Sequence, residues 1–173
     1  MAEEFITLMA DLDDNSQTLL TNWYEELNQK GFKGTQTIGI PYHISLGSFS
    51  LDKEKEVIEM VKDLANDFNT IPVCINSINV FPNVRVLFAE PKSDCLDLYN
   101  LNKALTIETI DKYSWQPHIT MLIDEPETIQ KAFSILKESF HSFSGTITKL
   151  HLCAFWPTRE ILTVELKSGQ SKK

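Results

Sequence analysis

The sequence lacks several features that would assign it at once to a class of protein. No apolar run approaches the roughly 20 residues that span a bilayer, and the acidic start Met1-Ala2-Glu3-Glu4 has no basic region typical of a signal peptide. The three cysteines are odd in number and widely spaced, which fits neither a disulfide framework nor a zinc site. We therefore expect a cytoplasmic protein with buried thiols and no membrane partner.

Basic residues are also scarce. The chain has 16 Lys and Arg against 24 Asp and Glu, a formal net charge of −8, and its clearest Lys/Arg cluster is the terminal Lys172-Lys173. Proteins that track long nucleic acid usually present a basic face that displaces counterions. The composition therefore argues against a long duplex as partner and favours a small substrate. With 173 residues, of which 42% are hydrophobic, the chain is expected to form a single domain over residues 1–173.

What the sequence does contain is a four-residue pattern that occurs twice. Motif 1 is His43-Ile44-Ser45-Leu46, and motif 2 is His118-Ile119-Thr120-Met121. A given histidine meets this pattern by chance about one time in 50 on average composition, and the chain has only four histidines. On a β-strand, side chains alternate between faces, so each histidine would stand beside its hydroxyl residue while the apolar pair anchors the strand.

Hydrophobic periodicity and turn residues predict alternating strands and helices. The predicted strands are 5–10, a short one at 35–40, 42–49, 71–81, 84–90, 117–123, 145–155 and 159–167. The predicted helices are 16–30 with Gly31 as C-cap, 52–68, 94–107 and 127–143. Turns are expected at Pro82-Asn83 and at Trp156-Pro157-Thr158, and the tail 168–173 is expected to fray.

The order of these elements repeats. Two strands begin 28 and 41 residues after His43, and two begin 27 and 41 residues after His118. A strand and a helix also precede each motif. This internal duplication predicts an α+β protein with two similar lobes, each a mainly antiparallel sheet with helices on its outer face. The two motif strands would then meet across a central cleft.

Two imidazoles and two hydroxyls in one cleft suit acid/base chemistry on a phosphate. A histidine with a reference pKa of about 6.5 can take a proton from an attacking oxygen or give one to a leaving oxygen. Hydroxyl groups can hold the non-bridging phosphate oxygens. The duplication makes the two histidines nearly equivalent, so the sequence does not assign the acid and the base.

The chain resembles the 2H phosphoesterase superfamily, in its 2′–5′ RNA ligase-like and cyclic phosphodiesterase branch. The resemblance rests on the two motifs, the strand at 84–88, Pro117 before the second histidine and the order of elements. It implies a bilobal fold and phosphodiester chemistry without metal or cofactor. The substrates it implies are 2′,3′-cyclic phosphates, 2′–5′ linkages and RNA 3′ ends. His43 and His118 would be catalytic, and Ser45 and Thr120 would bind phosphate.

Other side chains are weaker candidates for binding the substrate. The rings of Tyr42, Tyr113 and Trp115 lie near the motif strands, where they could stack on a base, although rings more often pack in a core. Arg85 and Arg159 are the only two arginines and could pair with a phosphate, although solvation is the default for such charges. A zinc site would need a suitably placed third ligand, which the sequence does not offer.

Two other classes of function stay open at this point. One is a nucleotide-binding sensor or scaffold that keeps the pocket without useful turnover. The other is a structural protein whose histidines have no chemical role. In each case we expect a monomer.

Overall fold

The computed structural model describes residues 2–81 and 85–168, and it confirms the predicted α+β class. The strands are β1 (Phe5–Leu12), β2 (His43–Phe49), β3 (Ile71–Val80), β4 (Val86–Pro91), β5 (Ile119–Ile123), β6 (Phe143–Phe155) and β7 (Arg159–Glu165). The helices are α1 (Asp14–Gln29), α2 (Glu54–Asp67), α3 (Leu96–Lys103) and α4 (Pro126–Ser139), with a 3-10 turn at Leu51–Lys53 before α2.

The strands form one sheet, not the two that we predicted. Its order is β2-β1-β6-β3-β4-β5, with β7 also paired to β6, and all of these strand pairs are antiparallel. The two halves are joined because β6 is 13 residues long. Its first part, from Phe143 to Ile147, pairs with β3, and the part from Ile147 to Phe155 pairs with β1.

The predicted duplication is visible in this topology. The series β1-α1-β2-α2-β3 is repeated as β4-α3-β5-α4-β6, and the sheet order reads alike from either end. Even the irregularities correspond, since one register shift follows Leu8 where β1 pairs with β2, and another follows Leu87 where β4 pairs with β5.

One face of the sheet packs on the helices. Alternate residues of β1, namely Ile6, Leu8 and Ala10, are fully buried in the main hydrophobic core. Helices α1, α2 and α4 contact the sheet, and α1 contributes Leu20, Trp23 and Leu27 at helical spacing. The opposite face of the sheet is therefore left to line a cleft.

Some predicted boundaries are wrong. No strand forms at 35–40, because this stretch lies in an irregular segment in which Gly34 and Gly39 have positive φ angles. Helix α3 ends at Lys103 and not at 107, and α4 ends at Ser139 and not at 143, because the chain then turns to pair with the sheet. The predicted turn at Pro82-Asn83 and the tail from 169 onward lie outside the described residues.

No helix among the described residues has the length and apolar character needed to cross a membrane.

Candidate active site

Both motif strands place their histidine and hydroxyl on the cleft face. Ile44 and Leu46 of motif 1 are buried in the core, as are Ile119 and Met121 of motif 2. The alternate residues are half-buried, and they are His43, Ser45, His118 and Thr120. The alternation predicted for a strand is thus present at both motifs.

The two motif strands lie at opposite ends of the sheet order, yet they pack against each other. Two irregular segments hold them there, which we call the 30–42 segment and the 104–118 segment. In the first, Thr35 donates its backbone N–H to the Ile123 carbonyl of β5 at 2.7 Å. In the second, Ile110 donates to the Ser48 carbonyl of β2 at 2.9 Å. Each segment therefore precedes one motif and hydrogen-bonds to the strand of the other motif.

The histidine side chains are held by the same contact in both halves. Nδ1 of His43 lies 2.8 Å from the Pro41 carbonyl oxygen, and Nδ1 of His118 lies 2.8 Å from the Gln116 carbonyl oxygen. A carbonyl only accepts, so Nδ1 carries the proton and donates in each ring. The neutral tautomer then has its lone pair on Nε2, which is the nitrogen left for proton transfer in the cleft.

Burial lowers the pKa of both motif histidines below the ordinary value. For His43 the carbonyl of Pro41 and the carboxylate of Asp11 oppose this shift, while the charges of His151 and His118 add to it. For His118 the carbonyl of Gln116 and the carboxylate of Glu90 oppose it. A depressed imidazole pKa favours the neutral form, which is the form that acts as a base near neutral pH.

Two cavities open beside the motifs. The larger has a volume of about 880 Å³ and is lined by His118, Ser45 and residues of the 104–118 segment. The smaller has a volume of about 450 Å³ and is lined by His43, Ser45, Thr120 and residues of the 30–42 segment. Ser45 borders both, so a group bound at the motifs could extend into either cavity.

A model of the 2′-5′ RNA ligase superfamily matches residues 18–155, which include both motifs. The chain belongs to this superfamily. The predicted membership of the 2H phosphoesterases is therefore confirmed, and with it a phosphodiester-cleaving type of enzyme in general terms. None of the curated proteins compared with the chain matches it significantly.

Several solved structures share the fold at low sequence identity. TT0787 of Thermus thermophilus has a TM-score of 0.64 at 13% identity, with 96% of this chain and 100% of that chain covered. LigT of E. coli, solved in complex with NADP+, has a TM-score of 0.56 at 18% identity, with 96% and 100% covered. Usb1 of Kluyveromyces marxianus has a TM-score of 0.51 at 11% identity, with 96% and 99% covered.

Three of the predicted binding residues of this superfamily member lie at the cavities. Tyr113 and Trp115 line the larger cavity, and Tyr42 lines the smaller one. Tyr113 is 88% exposed, so its ring is free to meet a ligand. Trp115 is half-buried, and its indole N–H donates to the Ser45 carbonyl at 2.9 Å, which ties the 104–118 segment to motif 1.

The structure does not bring the two arginines to the motifs. Arg159 donates to the carboxylates of Glu3 and Glu54 at 2.7 to 3.2 Å. Arg85 donates to the Asp124 carbonyl and forms an ion pair with Glu125 at 2.7 Å. Neither arginine lines one of the two cavities. The phosphate-binding role predicted for them therefore has no support in the geometry, because acidic side chains already hold both guanidinium groups.

The sequence reasoning missed a carboxylate behind each motif histidine. Asp11 of β1 is the register partner of His43, and Glu90 of β4 continues the register that pairs Ala89 with Ile119, which places it opposite His118. The predicted first strand, 5–10, stops one residue before Asp11. The sequence does contain one signal for Asp11. It follows Thr7 and Met9 at alternate positions, so on an extended first strand its side chain lies on the same face as theirs.

The described residues contain no group of three or more His, Cys, Asp or Glu placed to hold a metal ion.

Proposed function

We propose that this protein is a metal-independent phosphodiesterase that cleaves 2′,3′-cyclic phosphates or 2′–5′ linkages of nucleotides or RNA ends. The observation that carries the proposal is the matched pair of histidines, each with Nδ1 on a carbonyl oxygen and each beside a hydroxyl residue on the cleft face. Two such imidazoles supply one base and one acid for a single displacement at phosphorus.

In the proposed reaction, one neutral imidazole takes a proton through Nε2 from the attacking water or ribose hydroxyl. The new oxygen–phosphorus bond forms as the bond to the leaving oxygen breaks on the opposite side. The second imidazole, protonated at Nε2, gives its proton to that leaving oxygen. Ser45 and Thr120 donate their hydroxyl groups to the non-bridging oxygens, which orients the phosphate and stabilises its charge. The two histidines then exchange protons with solvent and return to the starting state.

The charge of the cleft supports a small substrate. The only Lys or Arg among the described residues that line the two main cavities is Lys112, and it stands next to Asp111. A long polyanion would need more cationic contacts than this. A cavity on each side of the motifs suits a single phosphodiester that carries an organic group on one or both sides. The exposed rings of Tyr113 and Trp156 offer surfaces on which a base could stack.

The test is a panel of substrates measured in excess EDTA. It comprises 2′,3′-cyclic mononucleotides, 2′–5′ and 3′–5′ dinucleotides, and short RNAs ending in a cyclic phosphate, with the position of the product phosphate determined for each. We expect turnover of a cyclic or 2′–5′ substrate and none of the 3′–5′ dinucleotide. Loss of all turnover in EDTA would contradict the metal-independent mechanism. Tight nucleotide binding without turnover of any substrate would favour the sensor or scaffold alternative.

A further inference from the structure

The two motif histidines are equivalent in position but not in charge environment. Their equivalence follows from the register, since Met9 pairs with Ser45 in the first half and Phe88 pairs with Thr120 in the second. Asp11 and Glu90 are therefore corresponding residues, each one strand away from its histidine. The difference lies on the next strand of the sheet, which is β6 beside Asp11 and β3 beside Glu90.

In the first half the carboxylate is flanked by basic residues. Asp11 pairs in register with Lys149 of β6, and its neighbour Met9 pairs with His151. The imidazole Nδ1 of His151 lies 3.3 Å from Oδ2 of Asp11, and both side chains are almost fully buried. With a protonated imidazole this Nδ1–Oδ2 contact is an ion pair. Oδ1 of Asp11 has no hydrogen-bond partner among the described residues, so His151 is the main group that balances the carboxylate. The Asp11 carboxylate raises the pKa of His151 against the effect of burial.

In the second half the corresponding positions are neutral. Glu90 pairs in register with Ser77 of β3, and Phe88 pairs with Asn79. The Ser77 hydroxyl is 3.0 Å from Oε1 of Glu90 and donates to it. The duplicated halves thus share the carboxylate, but where the first half has Lys149 and His151 the second has Ser77 and Asn79.

Other titratable groups near these residues do not remove the charge difference between the two halves. Lys149 faces Glu165 across β6 and β7, so His151 is the decisive cation near Asp11. Glu160 contacts Nε2 of His151 at 3.4 Å, but it is 74% exposed and water screens it. The Cys153 thiol beside His151 has its pKa raised to about 11 by burial and is neutral. The larger cavity, which His118 lines, has one charged residue of each sign among its lining, Asp111 and Lys112.

We infer that His151 neutralises Asp11 behind His43, whereas Glu90 behind His118 has no ion pair among the described residues, so that His43 is the general base and His118 the general acid. Asp11, His151 and Glu90 are positioning residues in this scheme, because they act through the histidines and not on the substrate. The assignment of roles rests on the proposed phosphodiesterase function. It adds that the proton moves from the attacking oxygen to Nε2 of His43, and from Nε2 of His118 to the leaving oxygen, as the bonds at phosphorus exchange.

The charge difference is tested first without any substrate, by NMR titration of the imidazole Cε1–H signals. We expect His43 to titrate at lower pH than His118 in the wild-type protein. His151→Asn introduces an asparagine in the first half, because the corresponding residue of the second half is Asn79. It should raise the pKa of His43 by about one unit, since Asp11 is then unopposed. His141→Asn, at an exposed histidine on a loop, should leave both values unchanged. The reverse order in the wild type, or an unchanged His43 in His151→Asn, would overturn the inference.

The roles themselves are tested with two diesters of adenosine 2′-phosphate, one with an aliphatic alcohol and one with p-nitrophenol. Because p-nitrophenolate leaves without a proton, it needs no general acid. His118→Ala should lose activity on the alkyl diester and stay within tenfold of wild type on the p-nitrophenyl diester, whereas His43→Ala should lose activity on both. The opposite pattern would overturn the assignment. If the wild type cleaves neither diester, the 2′–5′ part of the proposed function fails, and the NMR titration still decides the charge difference.

Discussion

At the scale of single residues, the site depends on a backbone contact that the motif itself creates. The carbonyl two positions before each histidine accepts from Nδ1, so the chain that leads into the strand orients the ring that begins it. His118 is held further by Phe81 and Phe88, whose ring centroids lie 4.8 and 5.4 Å from its own in edge-on packing. The imidazole rings of His43 and His118 are therefore fixed before a substrate binds, and acid/base catalysis at short range requires this.

The hydroxyl residues give a prediction at this scale. Thr120→Val keeps the shape of the side chain but removes the hydroxyl, so kcat/KM should fall about 10²-fold, as for the loss of one donor to a developing oxyanion. Thr120→Ser should retain most of the activity, because it keeps the donor. Steady-state kinetics measure both, with circular dichroism to verify folding. Wild-type kcat/KM in a folded Thr120→Val protein would show that this hydroxyl does not contact the phosphate.

At the scale of elements, the two irregular segments are what close the cleft. The 30–42 segment hydrogen-bonds to β5, and the 104–118 segment hydrogen-bonds to β2, so the strands at both ends of the sheet order are covered. Gln36 adds a side-chain contact, since its Oε1 accepts from the Ile123 N–H at 3.1 Å. The segment before each histidine thereby fixes the position of the other motif strand.

Two glycines of the 30–42 segment provide a matched comparison. Gly34 and Gly39 both have positive φ angles, so substitution by alanine should cost each about 1 kcal/mol of stability from the backbone alone. A Cβ at Gly34 would also lie 2.9 Å from the Ile123 carbonyl oxygen, whereas one at Gly39 would meet no atom within 4 Å. Gly34→Ala should therefore lower the free energy of unfolding in urea by about 1–3 kcal/mol more than Gly39→Ala. Equal losses would contradict the close approach to β5.

The elements also show what the sequence could and could not predict. The strands and helices were predicted well because each buries one face, which leaves a local period in the sequence. The prediction of a strand at 35–40 is wrong because this stretch is held by Ile123, 88 residues from Thr35, and local pattern carries no information on such a contact. At the site, the motifs were predictable because they repeat. For Asp11, the phase in the first strand indicates the face on which it lies, but not the strands that pair on either side of it.

At the scale of the whole molecule, β6 turns two duplicated halves into one sheet, and Arg159 ties distant parts of the chain together. Its guanidinium binds Glu3, which precedes β1, and Glu54 at the start of α2, while Arg159 itself begins β7. The guanidinium is thus held by two carboxylates and lies outside the lining of both cavities. The contact joins residues 156 positions apart, and it is only visible once the fold is complete.

The prediction at this scale separates stability from catalysis. Arg159→Ala should lower the melting temperature, with a smaller loss at high salt because exposed ion pairs are screened. KM should stay at the wild-type value, since the guanidinium does not line either cavity. Arg85→Ala, which removes the other exposed arginine, is the matched control for loss of charge. A raised KM at an unchanged melting temperature would contradict this and restore the role in phosphate binding.

The central claim is that one histidine from each half acts on the same phosphodiester, and the most direct test is turnover by single-histidine variants in excess EDTA. With the best substrate of the panel, whose leaving group is an alcohol, His43→Ala and His118→Ala should each lose about 10²- to 10⁴-fold in kcat/KM, as expected for a general acid or base. The exposed His141→Ala should keep the wild-type rate. Wild-type turnover that disappears in EDTA, or that survives in both His43→Ala and His118→Ala, would contradict the account.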